Sequence, residues 1–313
     1  MGRLTPVLKT RSISPLAMVE IGFEFTAMSC PCEIRVVGAD EQQVHGAARA
    51  GIEEVRRIEQ KYSRYRPDSL LSRINAAAGG HNPVQIDEET HALMQLGGHL
   101  HRASEGRFDL TSGVLRRAWD FRARRVPSQA QIDALLPLVC WDRVSLGPEH
   151  VHLPRHGMEL DLGGLGKEYA ADRAADVCLA LGMYGGFVDL GGDIRVIGPR
   201  PAGSGWCLGI RDPMNAGSIS GELTLTSGAV ATSGDYERGF VADGRHYSHL
   251  LDARTGWPVD HWRSVSVVAP TALSAGMLAT LGMLMGETAP ALLQAEGVWF
   301  RLARACSQSE GWK

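Results

Sequence analysis

A glycine-rich helix entry, a hydroxyl-rich strand end and one histidine in a dense polar turn are the parts of this sequence equipped for chemistry. Gly163-Gly164-Leu165-Gly166-Lys167 follows a strand-like Met158–Leu162 and opens a helical stretch. Backbone N–H groups at a helix start bind anions, and Lys167 adds a positive charge there. The run is not a P-loop, because Asp161 stands where the first glycine belongs and Glu168 where Ser or Thr belongs. By residue type alone it serves equally as a structural turn or an anion cradle. Asp189-Leu190-Gly191-Gly192-Asp193 divides in the same way between a tight turn and a backbone that approaches a ligand closely. Thr232-Ser233-Gly234-Asp235-Tyr236 and Tyr247 to Gly256 are denser, the second gathering a hydroxyl, an imidazole, a carboxylate and a guanidinium. His249 suits a general base near neutral pH, although a lone histidine at a strand end is more often structural. Arg116, Arg117, Arg122, Arg124 and Arg125 surround Trp119 and Phe121, a composition that can grip nucleic acid or phosphate. A solvated loop or a local partner contact is the better reading for them.

These groups need elements to position them. Glu20 to Gly38 reads as two extended runs around Ser29-Cys30-Pro31, with Phe23, Phe25, Ile34 and Val36 alternating. Asp40 to Lys61 carries an apolar stripe (Val44, Ala47, Ala48, Ile52, Val55, Ile58) at helical spacing. Further helices are expected after Ser69, from about Glu88 to Ser104, from Lys167 to Leu181 and from Thr271 to Met285. Strands are expected at Phe187–Leu190, Ile194–Ile197, Trp206–Ile210, Leu223–Thr226 and Val265–Ala269, with a hairpin turn at Asp243-Gly244. Strands and helices mix without strict alternation, which predicts an α+β fold rather than a doubly wound sheet.

The 313 residues allow one large domain or two small ones. A hydrophobic share of 44% supplies a packed core and excludes a disordered chain. A net charge of −3 argues against a whole-protein grip on nucleic acid. None of the six cysteines forms a C-x-x-C pair, so no zinc or thioredoxin motif is indicated. The N-terminal stretch has no uninterrupted apolar core and no lipidatable cysteine, and Pro6 breaks a myristoylation motif. No apolar run reaches the roughly 18 residues of a membrane span. A cytoplasmic protein with reduced thiols is therefore expected. Residues 1–18 are expected as a flexible extension, 19–306 as a single domain of two intimately packed lobes, and 307–313 as a tail.

As an ordered set, the motifs resemble the ApbE-type FAD:protein FMN transferases over nearly the whole chain, from about Phe25 to Gly286. The blocks are Ala27-Met28-Ser29-Cys30, Ser63 to Asn75, Gly106-Arg107-Phe108-Asp109-Leu110-Thr111 and Asp161 to Lys167 with Tyr169-Ala170-Ala171-Asp172. Leu190 to Asp193, Thr232 to Tyr236, and Ser248-His249 with Asp252 and Thr255-Gly256 complete them. The resemblance implies a two-lobed α/β roll with mostly antiparallel sheets and flanking helices. It implies a Mg-dependent transferase that splits FAD and joins its FMN half to a Thr or Ser of an acceptor flavoprotein, releasing AMP. It assigns flavin contacts to Met28, Tyr65, Arg107, Phe108, Asp109, Asp161, Lys167 and Leu251, and the proton acceptor to His249. The metal site it implies takes Gly164, Ala279 and Thr280.

Three positions depart from that pattern. Gly276 stands where the family has the metal-binding Asp, Glu168 where many members have Gly, and Ala253 where Pro is usual. Without the Asp, the expectation is a weakened Mg site. Gly276→Asp is then expected to restore it at little cost, since Gly is a poor helix former. Two alternatives to an active transferase follow: a flavin-binding relative with weak or no transfer, and a non-catalytic interaction subunit.

Overall fold

A computed structural model describes residues 18–304 except 216, 237 and 238. The expected extension before residue 18 and the tail after 306 lie outside the described residues, apart from Met18. The described residues begin with a hairpin, β1 (Val19–Ala27) and β2 (Cys30–Gly38), joined through Met28 and Ser29. Both turn residues take positive φ, 51° and 62°. A two-residue hairpin turn of this hand is the one that matches strand twist, and it is normally given to Gly or Asn. Here the Met28 N–H donates to Glu59 Oε1 at 2.6 Å, which anchors the turn from a neighbouring helix.

Five more strands complete one sheet: β3 (Gly185–Leu190), β4 (Asp193–Gly198), β5 (Ala229–Gly234), β6 (Ser264–Ala269) and β7 (Trp299–Ala303). They lie in chain order from β1 to β7, every neighbour antiparallel. The long β2–β3 connection carries α1 (Glu41–Tyr62), α2 (Leu70–Ala76), α3 (Glu88–Ala103) and α4 (Gly166–Ala180). α5 (Ala272–Met285) and α6 (Ala289–Ala295) join β6 to β7. The apolar stripe of α1 buries Val44, Ala47, Ala48, Val55 and Ile58 with Ile34 and Val36 of β2 and Ala171, Ala174 and Ala175 of α4. A separate hairpin, Trp206–Arg211 with Ile219–Leu225, packs Trp206, Leu208 and Ile210 with Val37, Ile194, Val196 and Val230 of the sheet.

The rest of the β2–β3 connection forms a small three-stranded sheet and a run of short helices. Val114, Leu115, Trp119 and Ile132 from that run pack with Phe240, Tyr247 and Trp257 of two hairpins that follow β5. The architecture is thus α+β with antiparallel sheets and flanking helices.

Several local expectations change. Met158–Leu162 forms an isolated bridge rather than a strand. Its backbone is held instead by the Asn75 amide, which donates to Leu160 O at 2.9 Å and accepts from Leu160 N at 2.7 Å. Periodicity did not reveal β5, β7 or α6. The stretch Ala272–Ala295 is apolar and long enough to cross a membrane by length and composition, against the expectation of none. It is interrupted at Gly286, where φ is 55°, and α5 packs on β5 and β6 as a core helix.

Candidate functional site

α1, α3 and α5 each start with a side-chain cap, from Asp40, Asp87 and Thr271. α4 starts without one, its N-cap residue being Leu165. A helix start not closed by a side chain keeps its partial positive charge available to a ligand. Lys167 sits in this first turn and pairs with Asp193 at 2.6 Å, just past the Gly191-Gly192 turn between β3 and β4. Gly191 has φ 69°, and a Cβ there would lie 2.9 Å from Cys30 Cβ. Its lack of a side chain therefore lets the β3–β4 turn meet the β1–β2 turn. The glycine pair is structural at least in this respect.

Before the helix, Asp161 Oδ1 accepts from the Gly163 N–H at 2.9 Å and Oδ2 pairs with Arg64. Arg64 also donates to the Tyr65 hydroxyl at 2.9 Å, and Tyr65 is 71% exposed. Phe108 lies over Gly164: a Cβ on that glycine would come within 3.1 Å of Phe108 Cε2. The same loop docks on the turn after His249. Arg107 donates to Asp252 Oδ2 at 3.0 Å, and its carbonyl accepts from the Ala253 N–H at 2.9 Å. Residues 107–108 thus bridge the α4 entry to the Leu251–Asp252 strand, and His249 lies two residues before Leu251.

Asp109 takes a different position from its neighbours. It is 5% exposed, and its oxygens accept from Thr111 N, Thr111 Oγ1 and Trp141 N at 2.7, 2.6 and 3.0 Å. Its carboxylate anchors the loop behind Phe108. Trp119 is 2% exposed and stacks on Phe121 within the hairpin core, while Arg116 and Arg117 pair with Glu159. These aromatics are not a surface platform for bases.

Past the first turn, Asp172 of α4 accepts from the N–H groups of Ala272 and Leu273 at 2.7 and 2.8 Å, fixing the start of α5. That grip brings Glu168 against Gly276. Thr280 lies one turn on from Gly276, with its hydroxyl 3.0 Å from Ser233 Oγ of β5. Asp193 Oδ1 accepts from Thr232 N at 3.1 Å. Glu168 is 7% exposed, and its Oε2 has no hydrogen-bond partner among the described residues. Burial, then the negative charge of Asp193, push its carboxyl up to about 8, against the pull of Lys167.

Sequence reasoning singled out Gly164, Lys167, Ala279, Thr280, Phe108, Leu251 and Asp161, but not the positioning contacts of Arg64, Asn75 and Asp172. It named Glu168 and Gly276 as two unrelated departures. Their spacing from Lys167 and Thr280 was visible, but that they face each other was not.

The profile of the ApbE family matches residues 28–300. A FAD:protein FMN transferase of Klebsiella pneumoniae is 33% identical over 252 residues, 78% of each chain. One of Treponema pallidum is 32% identical over 287 residues, 84% of this chain and 78% of its own. Among solved structures, the ApbE protein of Thermotoga maritima superposes with TM-score 0.85 at 32% identity, covering 93% of this chain and 96% of the other. The apo flavinyl transferase ApbE of Pseudomonas stutzeri gives TM-score 0.81 at 28% identity, covering 96% of each chain.

Proposed function

This chain belongs to the ApbE family, and from that premise we propose that it moves the FMN half of FAD onto a Thr or Ser hydroxyl of an acceptor protein, releasing AMP. The observation that carries the reading is the bridge through Arg107 and Phe108, which joins the uncapped start of α4 to the turn bearing His249.

The chemistry follows from what each end offers. His249 takes the proton from the acceptor hydroxyl, whose oxygen forms a bond to the flavin-side phosphorus. The pyrophosphate P–O bond breaks, and AMP leaves with the electron pair. Lys167 and the first N–H groups of α4 favour the phosphate charge that grows as this bond breaks. Phe108 and Leu251 supply apolar surface beside the path, and Arg64 holds Asp161 in place beneath Gly163. The family's chemistry also implies a divalent cation. The donors present are oxygens, and the buried Glu168 Oε2 without a hydrogen-bond partner fits such an ion. Carbonyls of Gly164 and Ala279 and the Thr280 hydroxyl would help to hold it. When bound, it would neutralise charge on the pyrophosphate.

The test is covalent flavin on an acceptor. Protein, FAD and Mg²⁺ are incubated with a lysate of cells grown without flavin transferase, and denaturing gels are read for flavin fluorescence alongside AMP release. A fluorescent acceptor band with matching AMP supports the reading. AMP with free FMN and no band would make the chain a pyrophosphatase, and intact FAD would make it a flavin binder. His249→Ala is expected to slow transfer roughly 100- to 10,000-fold while FAD still binds.

A further inference from the structure

Across the contact between α4 and α5, Glu168 fills the space that a side chain at position 276 would use. A Cβ on Gly276 would lie 2.5 Å from Glu168 Cγ and 3.0 Å from both its Cδ and Oε1. Gly276 admits the carboxyl, and Glu168 delivers it from the opposite helix. The carboxyl is buried, and one of its oxygens has no hydrogen-bond partner among the described residues. Such an oxygen is normally satisfied by a donor, a water or a cation. The surroundings select among these. Thr280 shares the Gly276 face of α5 one turn on, Ser233 lies 3.0 Å from it, and Asp193 adds a second carboxylate. A buried carboxyl short of a partner, with a second carboxylate and two hydroxyls nearby, suits a hard divalent cation.

We propose that Glu168 is the carboxylate ligand of the chain's divalent-cation site, reaching from α4 to the place that Gly276 of α5 leaves open. This rests on the reading of the chain as a metal-assisted flavin transferase. It joins the two departures at 168 and 276 into one exchange: the carboxylate has changed helix and kept its place. The apparent loss at 276 is then no loss of charge at the site.

The experiment reads Mn²⁺ uptake by the paramagnetic signal of the free ion, with Mg²⁺ as competitor, for the full chain with and without FAD. The proteins are the wild type, Glu168→Gln and the double variant Glu168→Gly with Gly276→Asp. Wild type is expected to take up one Mn²⁺ that Mg²⁺ displaces. Glu168→Gln is expected to weaken uptake roughly 10- to 100-fold or more, with FAD fluorescence titrations in the absence of divalent cation unchanged. The double variant is expected to bind within a few-fold of wild type, and it decides the matter if Glu168→Gln does not fold. Equal Mn²⁺ affinity in wild type and Glu168→Gln overturns the proposal. So does an absence of uptake by wild type, or by a folded double variant. If Glu168→Gln loses the ion while wild-type AMP release ignores chelators, the ligand assignment stands and metal-assisted transfer falls.

Discussion

Glu89 and Glu168 both stand in the first turn of a helix, one half-buried and the other buried, yet their carboxyls are satisfied in opposite ways. Glu89 of α3 is surrounded by donors. Arg57 reaches both of its oxygens at 2.6 and 3.0 Å, Lys61 pairs with one at 2.5 Å, and the Tyr169 hydroxyl donates to the other at 2.8 Å. Burial pushes this carboxyl up, but the hydrogen bonds from Arg57, Lys61 and Tyr169 outweigh it and hold it at about 2. Glu168 has Asp193 for a neighbour, an oxygen without a hydrogen-bond partner, and a carboxyl pushed up to about 8. Residues 168 and 169 are adjacent, so one helical turn sends Tyr169 to the satisfied carboxylate of Glu89 and turns the unsatisfied carboxyl of Glu168 the other way. A carboxylate closed in by its own chain holds the fold together. One left short of donors inside the protein is available to a ligand.

The largest expected effect tests the crowded side of this contrast. Gly276→Asp in the presence of Glu168 forces a second carboxyl into occupied space, at a cost of about 3 kcal/mol in chemical unfolding. This reverses the expectation, drawn from helix propensity alone, that the change is harmless. An unchanged unfolding midpoint would show that Glu168 moves aside freely. Next, Glu89→Ala leaves Arg57 and Lys61 short of their shared partner. A loss of about 2 kcal/mol is expected, with FAD affinity of the folded protein unchanged. A drop in FAD affinity without a drop in stability would mean that Glu89 too serves the site.

The pH dependence separates the pair further. Glu89 has a folded-state pKa of about 2 against an ordinary 4.5, so it stabilises the fold fully above 4.5. That contribution fades as the pH falls from 4.5 towards 2. Unfolding free energies measured over this range should fall less steeply for Glu89→Gln than for wild type, and parallel curves would contradict the assignment. The smallest effect is expected from Tyr169→Phe, which removes one hydrogen bond to Glu89. About 1 kcal/mol of stability should go, with Mn²⁺ uptake untouched. A change in uptake would mean that the two carboxylates are coupled through this turn.

Much of this was legible in the chain itself. The stripe Val44–Ile58, the caps at Asp40, Ser69 and Asp87, and the turn Asp243-Gly244 are local signals, set by spacing of a few residues. They specified α1 to α3 and the hairpin because their partners lie nearby along the chain. Met158–Leu162 misled because its alternation is that of a strand, while the backbone of Leu160 at its centre bonds to the side chain of Asn75, 85 residues away. β7 gave no clear pattern, because burial of Arg301 at 8% exposure breaks the apolar alternation.

By itself the sequence determined helices α1 to α5 and the first hairpin, that the fold is α+β, and which blocks belong to the family, because all of these depend on residue type and short spacing. Only the tertiary structure decided that Asp109 faces inward, that residues 107–108 span from Gly164 to the strand after His249, and that Glu168 occupies the place left by Gly276. The last pair is separated by more than one hundred residues and by ten intervening strands that carry no mutual signal. Two side chains on different helices share a volume only when the sheet beneath and the Asp172 grip on α5 have fixed the angle and height at which those helices meet.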